Sequence, residues 1–336
     1  MYDQETQTKT VTRRFGRLNW NVSEIGYGMW GIAGGEGGWT GVKDETRLDS
    51  LHRAVGHGCN FFDTAWIYGR GGSEKLLGEL LAEHSGDKLY TATKIPPKNR
   101  TWPSARTDAF EDLFPTDFCD EYLKRSLDNL GVDRIDLMQF HVWEDHWADV
   151  DAWKRLIDDW KSEGLIEGVG VSINRWEPWN CIETLKTGLI DSVQVIYNIF
   201  DQAPEDELFP VCEAHDIAVI ARVPFDEGGL TGTLTLDSTW PDEDWRNSYF
   251  VPENLRDSVA RADALGADLP AGVTMPEAAL RFILHHPAVS TTIPGMRKLG
   301  HVDANLAASG KPPLSPAFLK TLRRHRWDRE PTEWSQ

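Results

Sequence analysis

The sequence predicts a single α/β domain closed as a (β/α)8 TIM barrel, on three observations. Eight strand-like runs alternate with helical stretches, five successive runs carry a polar residue at or near the C-terminal end, and 336 residues suit one such barrel. The alternation implies parallel strands joined by crossover helices. A count of eight would equally suit an open doubly wound sheet, which gathers its polar strand ends at one switch point. Here Asp63, Lys94, His141 and Ser172 end successive runs and Gln194 lies in the next, as they would around one rim.

In chain order the strand-like runs are Ser23 to Tyr27, Cys59 to Asp63, Leu89 to Lys94, Ile135 to His141, Ile166 to Ser172, Ser192 to Tyr197, Ala218 to Val223 and Val289 to Ile293. Each is short, mostly apolar and rich in β-branched or aromatic residues. Helical spacing occupies Glu45 to His57, Ser73 to His84, Pro115 to Leu130, Val150 to Glu163, Pro178 to Thr187, Leu208 to His215 and Pro276 to His285. Ser73 reads as the N-cap of SEKLLGELL, and Gly164 as the glycine that ends the helix before the fifth strand. The domain is expected to span 1–336, with about 1–13 and 326–336 peripheral. GYGMWG, Gly26 to Gly31, matches a dinucleotide-binding fingerprint literally. A helix should begin inside that motif, yet IAGGEGGWTGV follows, too glycine-rich to be one.

Hydrophobic residues at 40% and charged residues at 26% fit a soluble globular protein with a large core. The formal charge of −18 argues against nucleic acid or an anionic membrane as a partner, since both need a basic face. No apolar run approaches a membrane span, and MYDQETQTKTVTRRFG lacks a signal-peptide core, so a cytoplasmic location is expected. Cys59, Cys119, Cys181 and Cys212 have no paired spacing and read as reduced structural thiols. HVWEDH, His141 to His146, spaces its histidines by five rather than four and starts on a strand, so no metal site is expected and His146 reads as a surface residue.

Asp63, Tyr68, Lys94 and His141 form the candidate proton-handling set. Alone, each has a plainer role: a turn cap, a loop aromatic, a solvated strand end, a hydrogen-bonded core histidine. Together they divide one task. A tyrosine acts as an acid near neutral pH if its anion is stabilised, and a lysine at about 4 Å with a dielectric near 20 contributes on the order of 4 kcal/mol, or about three pKa units before desolvation. Asp63 would keep Lys94 protonated, and His141 would orient a substrate carbonyl.

The segments FFDTAWIYGRGGSEKLLG, YTATK, DLMQFH, GVGVS, VQVIYN, VIARVPFDEGGLTG and IPGMRKLGHVDANLAA stand in the order and spacing of one family. The chain resembles the aldo-keto reductases from about Arg14 to Ala308. That resemblance implies a barrel binding NADPH across its C-terminal rim, with Asp63, Tyr68, Lys94 and His141 as the catalytic tetrad and Tyr68 as proton donor in reduction of aldehydes or ketones, or the reverse.

For the cofactor, the resemblance implies contacts from Gly28, Met29, Trp30 and Gly295, with Ser172, Asn174 and Gln194 at the carboxamide. It places Arg222, Val223, Pro224, Phe225, Gly228 and Leu230 along the nicotinamide and pyrophosphate, Arg297, Lys298 and His301 at the adenosine phosphate, and Asn305 at the adenine. A cationic pair there favours NADP over NAD. The chain departs from the family in three places. Ile173 separates Ser172 from Asn174, Arg222 stands where an aromatic often stacks, and His301 stands where an arginine often grips the phosphate. Trp30, Trp66, Trp102 and Trp143 are the candidate substrate walls, favouring apolar or flat carbonyl compounds. Two other classes are weighed beside this one: a cofactor-binding redox sensor with slow turnover, and a cofactor-independent hydrolase or lyase using His141 and Asp63.

Overall fold

The computed structural model describes residues 9–33, 45–332 and 335. Trp39 and the glycine-rich stretch before Glu45 lie outside the described residues. The first two strands, β1 (Thr12–Phe15) and β2 (Trp20–Ser23), form an antiparallel hairpin that the sequence reading did not anticipate. Its Phe15 and Trp20 stack at 5.2 Å and pack on Phe61, Tyr90 and Ala218, the first residues of three barrel strands. The hairpin therefore plugs the N-terminal floor of the barrel.

The eight expected strands follow: β3 (Tyr27–Gly28), β4 (Phe61–Asp63), β5 (Tyr90–Ile95), β6 (Ile135–Phe140), β7 (Ile166–Ser172), β8 (Ser192–Ile196), β9 (Ala218–Arg222) and β10 (Val289–Thr292). They form one parallel sheet in sequence order, and the bridges Ile25 to Thr292 and Gly28 to Gly295 close it into a ring. The seam explains the glycines of GYGMWG. A Cβ on Gly28 would lie 2.5 Å from the Ile293 carbonyl oxygen, and one on Gly26 would lie 2.9 Å from that of Phe61. Those glycines allow backbones to meet, and no α-helix starts among Gly26 to Gly31, only the single 3-10 turn Trp30–Ile32.

Helices cover the outside, and one apolar core fills the layer between them and the sheet. Six of the seven expected helices are found within two residues of their expected bounds, while Pro178 to Thr187 shrinks to Ile182–Lys186. Ser73 is not an N-cap. The left-handed turn at Gly69, Arg70 and Gly71 starts the helix Gly72–Glu83 earlier, and Ser73 lies buried in its first turn, accepting from Thr64 Oγ1 at 2.7 Å. Gly164 does take the left-handed φ of +72° that follows a helix end. Pro252–Asp268 is a 17-residue helix that periodicity missed, because its buried face mixes Asn254, Ser258 and Ala262 with Val259 and Leu265 and so shows no continuous large apolar stripe. No helix among the described residues is long and apolar enough to cross a membrane. All four cysteines are buried and unpaired.

Candidate active site

Asp63 is the last residue of β4, Lys94 the penultimate residue of β5, and His141 the residue after β6. Ser172 ends β7, Gln194 lies on β8 and Arg222 ends β9. Parallel strands put all six at one rim, and Tyr68 reaches it from the turn that follows β4. That rim opens into a cavity of about 1120 Å³ lined by Asp63, Tyr68 and His141.

Lys94 is fully buried behind the cavity wall. Its ammonium donates to Asp63 Oδ1 at 2.6 Å and to the Thr64 carbonyl at 2.7 Å. The other carboxylate oxygen accepts from Gln194 Nε2 at 2.8 Å and from Gln139 Nε2 at 3.3 Å. Such satisfaction is what a buried ion pair requires. Above the pair, the Tyr68 and His141 rings meet edge-on at 5.8 Å, and Lys94 Nζ lies 5.3 Å from the Tyr68 ring centroid.

Burial, and then the Asp63 charge, push the Tyr68 phenol above its ordinary value, while Arg222 pulls it down. Burial lowers Lys94, with Asp63 opposing. Burial and the positive charges of Lys94 and Arg222 hold His141 well below the usual imidazole range. Arg222 itself is pushed down to about 10, by burial and then by Arg175. Lys94 donates to Asp63 and Thr64, and Arg222, which donates to the Ile173 carbonyl at 3.0 Å, adds a second positive charge that lowers the phenol. For the carbonyl reduction that the resemblance implies, a neutral His141 and a protonated Tyr68 predict a rate flat from about pH 6 to 9, and an alcohol-oxidation rate that rises with pH. A reduction profile with an inflection near pH 6.5 that vanished in His141→Gln would contradict it.

The same cavity is lined by Gly28, Met29, Trp30, Trp102, Ser172, Asn174, Gln194, Arg222, Val223, Pro224, Phe225, Gly228, Gly295, Arg297, His301 and Asn305. Asn305 presents at that wall a buried amide nitrogen with no hydrogen-bond partner among the described residues. Asn174 has its amide engaged elsewhere, donating to Glu144 Oε1 at 2.9 Å. Four expected residues are not in the lining. Leu230 is buried behind it, and Lys298 is exposed ahead of the helix Leu299–Leu306. Trp66 turns outward, edge-on to Tyr122 at 4.7 Å, with the Arg100 guanidinium 5.1 Å from its ring. Trp143 is fully buried among Phe110, Phe140, Trp147 and Trp153 and donates to Thr184 Oγ1 at 2.8 Å. Neither tryptophan is a pocket wall.

Sequence reasoning missed Gln139, although it lies two residues before His141 and so on the inward face. It also missed Arg175, which donates to Glu227 Oε1 at 2.6 Å, and Trp245, whose ring lies 5.1 Å from Trp30. Residues 231–250 carry no periodic signal, yet Trp240, Trp245, Arg246 and Tyr249 all line the cavity. His146 is exposed and meets the Asp108 carbonyl at 3.1 Å, while Glu144 is buried on Ser104, Asn174 and Asn180. Among the described residues no three His, Cys, Asp or Glu side chains cluster as a metal site.

Residues 24–326 match the model of the Aldo/keto reductase family. An uncharacterized oxidoreductase, YqkF, of Bacillus subtilis (strain 168) is 28% identical over 315 residues, 93% of this chain and 95% of its own length. The NADH-specific methylglyoxal reductase of Escherichia coli (strain K12) is 28% identical over 308 residues, 87% of this chain and 91% of its own. Among solved structures, a glycerol dehydrogenase from Gluconobacter oxydans superposes with a TM-score of 0.75 at 26% identity, covering 94% of both chains.

Proposed function

This chain belongs to the aldo/keto reductase family, and from the geometry of its rim we propose that Tyr68 donates the proton when an aldehyde or ketone is reduced to the alcohol at the expense of NADPH. The chain is an NAD(P)H-dependent oxidoreductase acting on small carbonyl compounds. The observation that carries the finer reading is the meeting of Tyr68 and His141 at 5.8 Å above the buried Asp63–Lys94 pair, on the cavity wall.

The cavity fits a nicotinamide cofactor. Its volume suits an extended dinucleotide and a small substrate together, and the partnerless amide of Asn305 supplies a donor to the adenine end. When bound, the cofactor supplies hydride to the carbonyl carbon. The protein then orients and protonates. Neutral His141 donates to the carbonyl oxygen, Tyr68 transfers its proton to that oxygen as charge develops, and Arg222 stabilises the phenolate left behind. A phenol held above its ordinary value remains a competent acid toward an alkoxide, which is far more basic. Trp30 and Trp102, joined by Trp245, form aromatic walls suited to apolar or flat carbonyl compounds. Absorbance of reduced nicotinamide, followed with a panel of aromatic and aliphatic aldehydes, tests the reading. Failure to bind either cofactor would sink it, and tight binding with negligible turnover on every carbonyl would favour a sensor.

The preference for NADPH rests on Arg297, whose guanidinium is lowered by burial and then by the neighbouring Arg246. His301 adds no charge near neutrality, because burial and the neighbouring Lys298 and Arg297 lower it. Arg297→Ala is expected to weaken NADPH by about tenfold and NADH by about twofold or less, as loss of one charge-assisted partner of a 2′-phosphate predicts. Equal losses for both cofactors, measured by fluorescence titration, would remove the argument.

A further inference from the structure

Residues 223–230 cross the cavity in a conformation that side chains disfavour. Val223, Asp226 and Glu227 have φ of 56°, 46° and 56°, a region adopted mainly by glycine and worst for a β-branched residue. Such conformations persist where neighbours over-determine them. Two arginines from elsewhere in the chain do so. Arg175 holds Glu227, and Arg329, from the tail expected to be peripheral, donates Nη2 to Asp226 Oδ1 at 2.8 Å. Arg329 has only 4% of its side chain exposed and lies 4.4 Å from the ring centroids of both Trp176 and Trp327. The same guanidinium chelates Asp201, through Nε at 3.2 Å and through Nη2.

Asp201 in turn accepts from Asn198 Nδ2 at 2.9 Å, and that amide also donates to the Val223 carbonyl at 3.1 Å. Both the start and the middle of the segment are thus tied to one buried cluster. Asp226 is fully buried and absent from the cavity lining, so it anchors the segment rather than touching a ligand. Gly229 closes the fit, since a Cβ there would lie 2.8 Å from Asp226 Oδ2. Without Arg329, two buried carboxylates would face each other across the cluster, and the segment would turn away from it.

We propose that Arg329 is a positioning residue for cofactor retention, bolting the 223–230 segment in its bent form through Asp226. This rests on the reading that the segment crosses the cofactor's pyrophosphate. Arg329→Met is expected to raise the NADPH dissociation constant by about tenfold, mainly through faster release, with kcat at saturating cofactor held within about threefold. Asp226→Asn, which leaves Arg329 on Asp201, should shift the constant less and in the same direction. Arg329→Lys should fall between, because an ammonium cannot span two carboxylates as a guanidinium does. Arg326→Met is the control: it breaks the pair with Asp206 on the same tail and should leave the constant within about twofold. Titration of tryptophan fluorescence with NADPH and stopped-flow release give both readouts. Unchanged constants in Arg329→Met and Asp226→Asn, or an Arg326→Met effect as large as that of Arg329→Met, would overturn the proposal. Wild-type protein that bound no NADPH would overturn the reading beneath it as well.

Discussion

Replacing Tyr68 with phenylalanine is expected to lower kcat for carbonyl reduction by about 10²- to 10⁴-fold, the range that one positioned general acid contributes. The phenyl ring would keep its contacts with His141 and with Trp30, whose centroids lie at 5.8 Å and 6.4 Å, so the cavity wall survives and only the proton is removed. Cofactor affinity should stay within about twofold, and the loss should appear in kcat rather than in the binding of NADPH. Steady-state kinetics with an aldehyde, beside a fluorescence titration of the cofactor, separates the two. Turnover at the wild-type rate would show that another group supplies the proton.

Asp63→Asn should have the largest effect on stability, together with loss of most activity. Lys94 is fully buried and depends on that carboxylate. Breaking one partner of a buried pair typically costs about 3–5 kcal/mol, because a charge is left in a dry site. The deficit depends on pH in a definite direction. Burial already lowers Lys94 below its unfolded value, and the substitution removes the largest opposing influence, so the amine falls further. A group with a depressed folded value binds more protons when unfolded, so stability rises with pH between the two values. The deficit should therefore shrink as pH rises toward about 10, as Lys94 sheds its proton. Urea unfolding at pH 7 and pH 9.5 measures it. A deficit of equal size at both would mean that Asp63 matters for shape rather than charge.

The eight barrel strands were legible because both faces of each are buried, which leaves continuous apolar runs punctuated by turns. The candidate set was legible because Asp63, Lys94 and His141 stand at or beside the ends of three strands that the fold sets side by side, with Tyr68 in the turn after the first. Adjacency in sequence proved a poorer guide to direction. Trp66 lies between Asp63 and Tyr68, yet the turn there aims it at Tyr122, away from the cavity. Trp143 lies two residues past His141, where inward and outward alternation would hold only if β6 continued, and it ends at Phe140. Arg329 carries no local signal at all. Its role comes from tertiary packing, as does that of Trp245 in an aperiodic stretch.

The seam between β3 and β10 bears on the order in which the molecule is assembled. Thr291 Oγ1 donates to the carbonyl of Ser23, a contact between residues 268 apart, whereas the four tetrad residues all lie between Asp63 and His141. The entropy lost on closing so long a loop must be met before the contact gives any return, and such contacts form slowly. A chain emerging from synthesis therefore carries Asp63, Tyr68, Lys94 and His141 long before the ring that will shelter them can be completed.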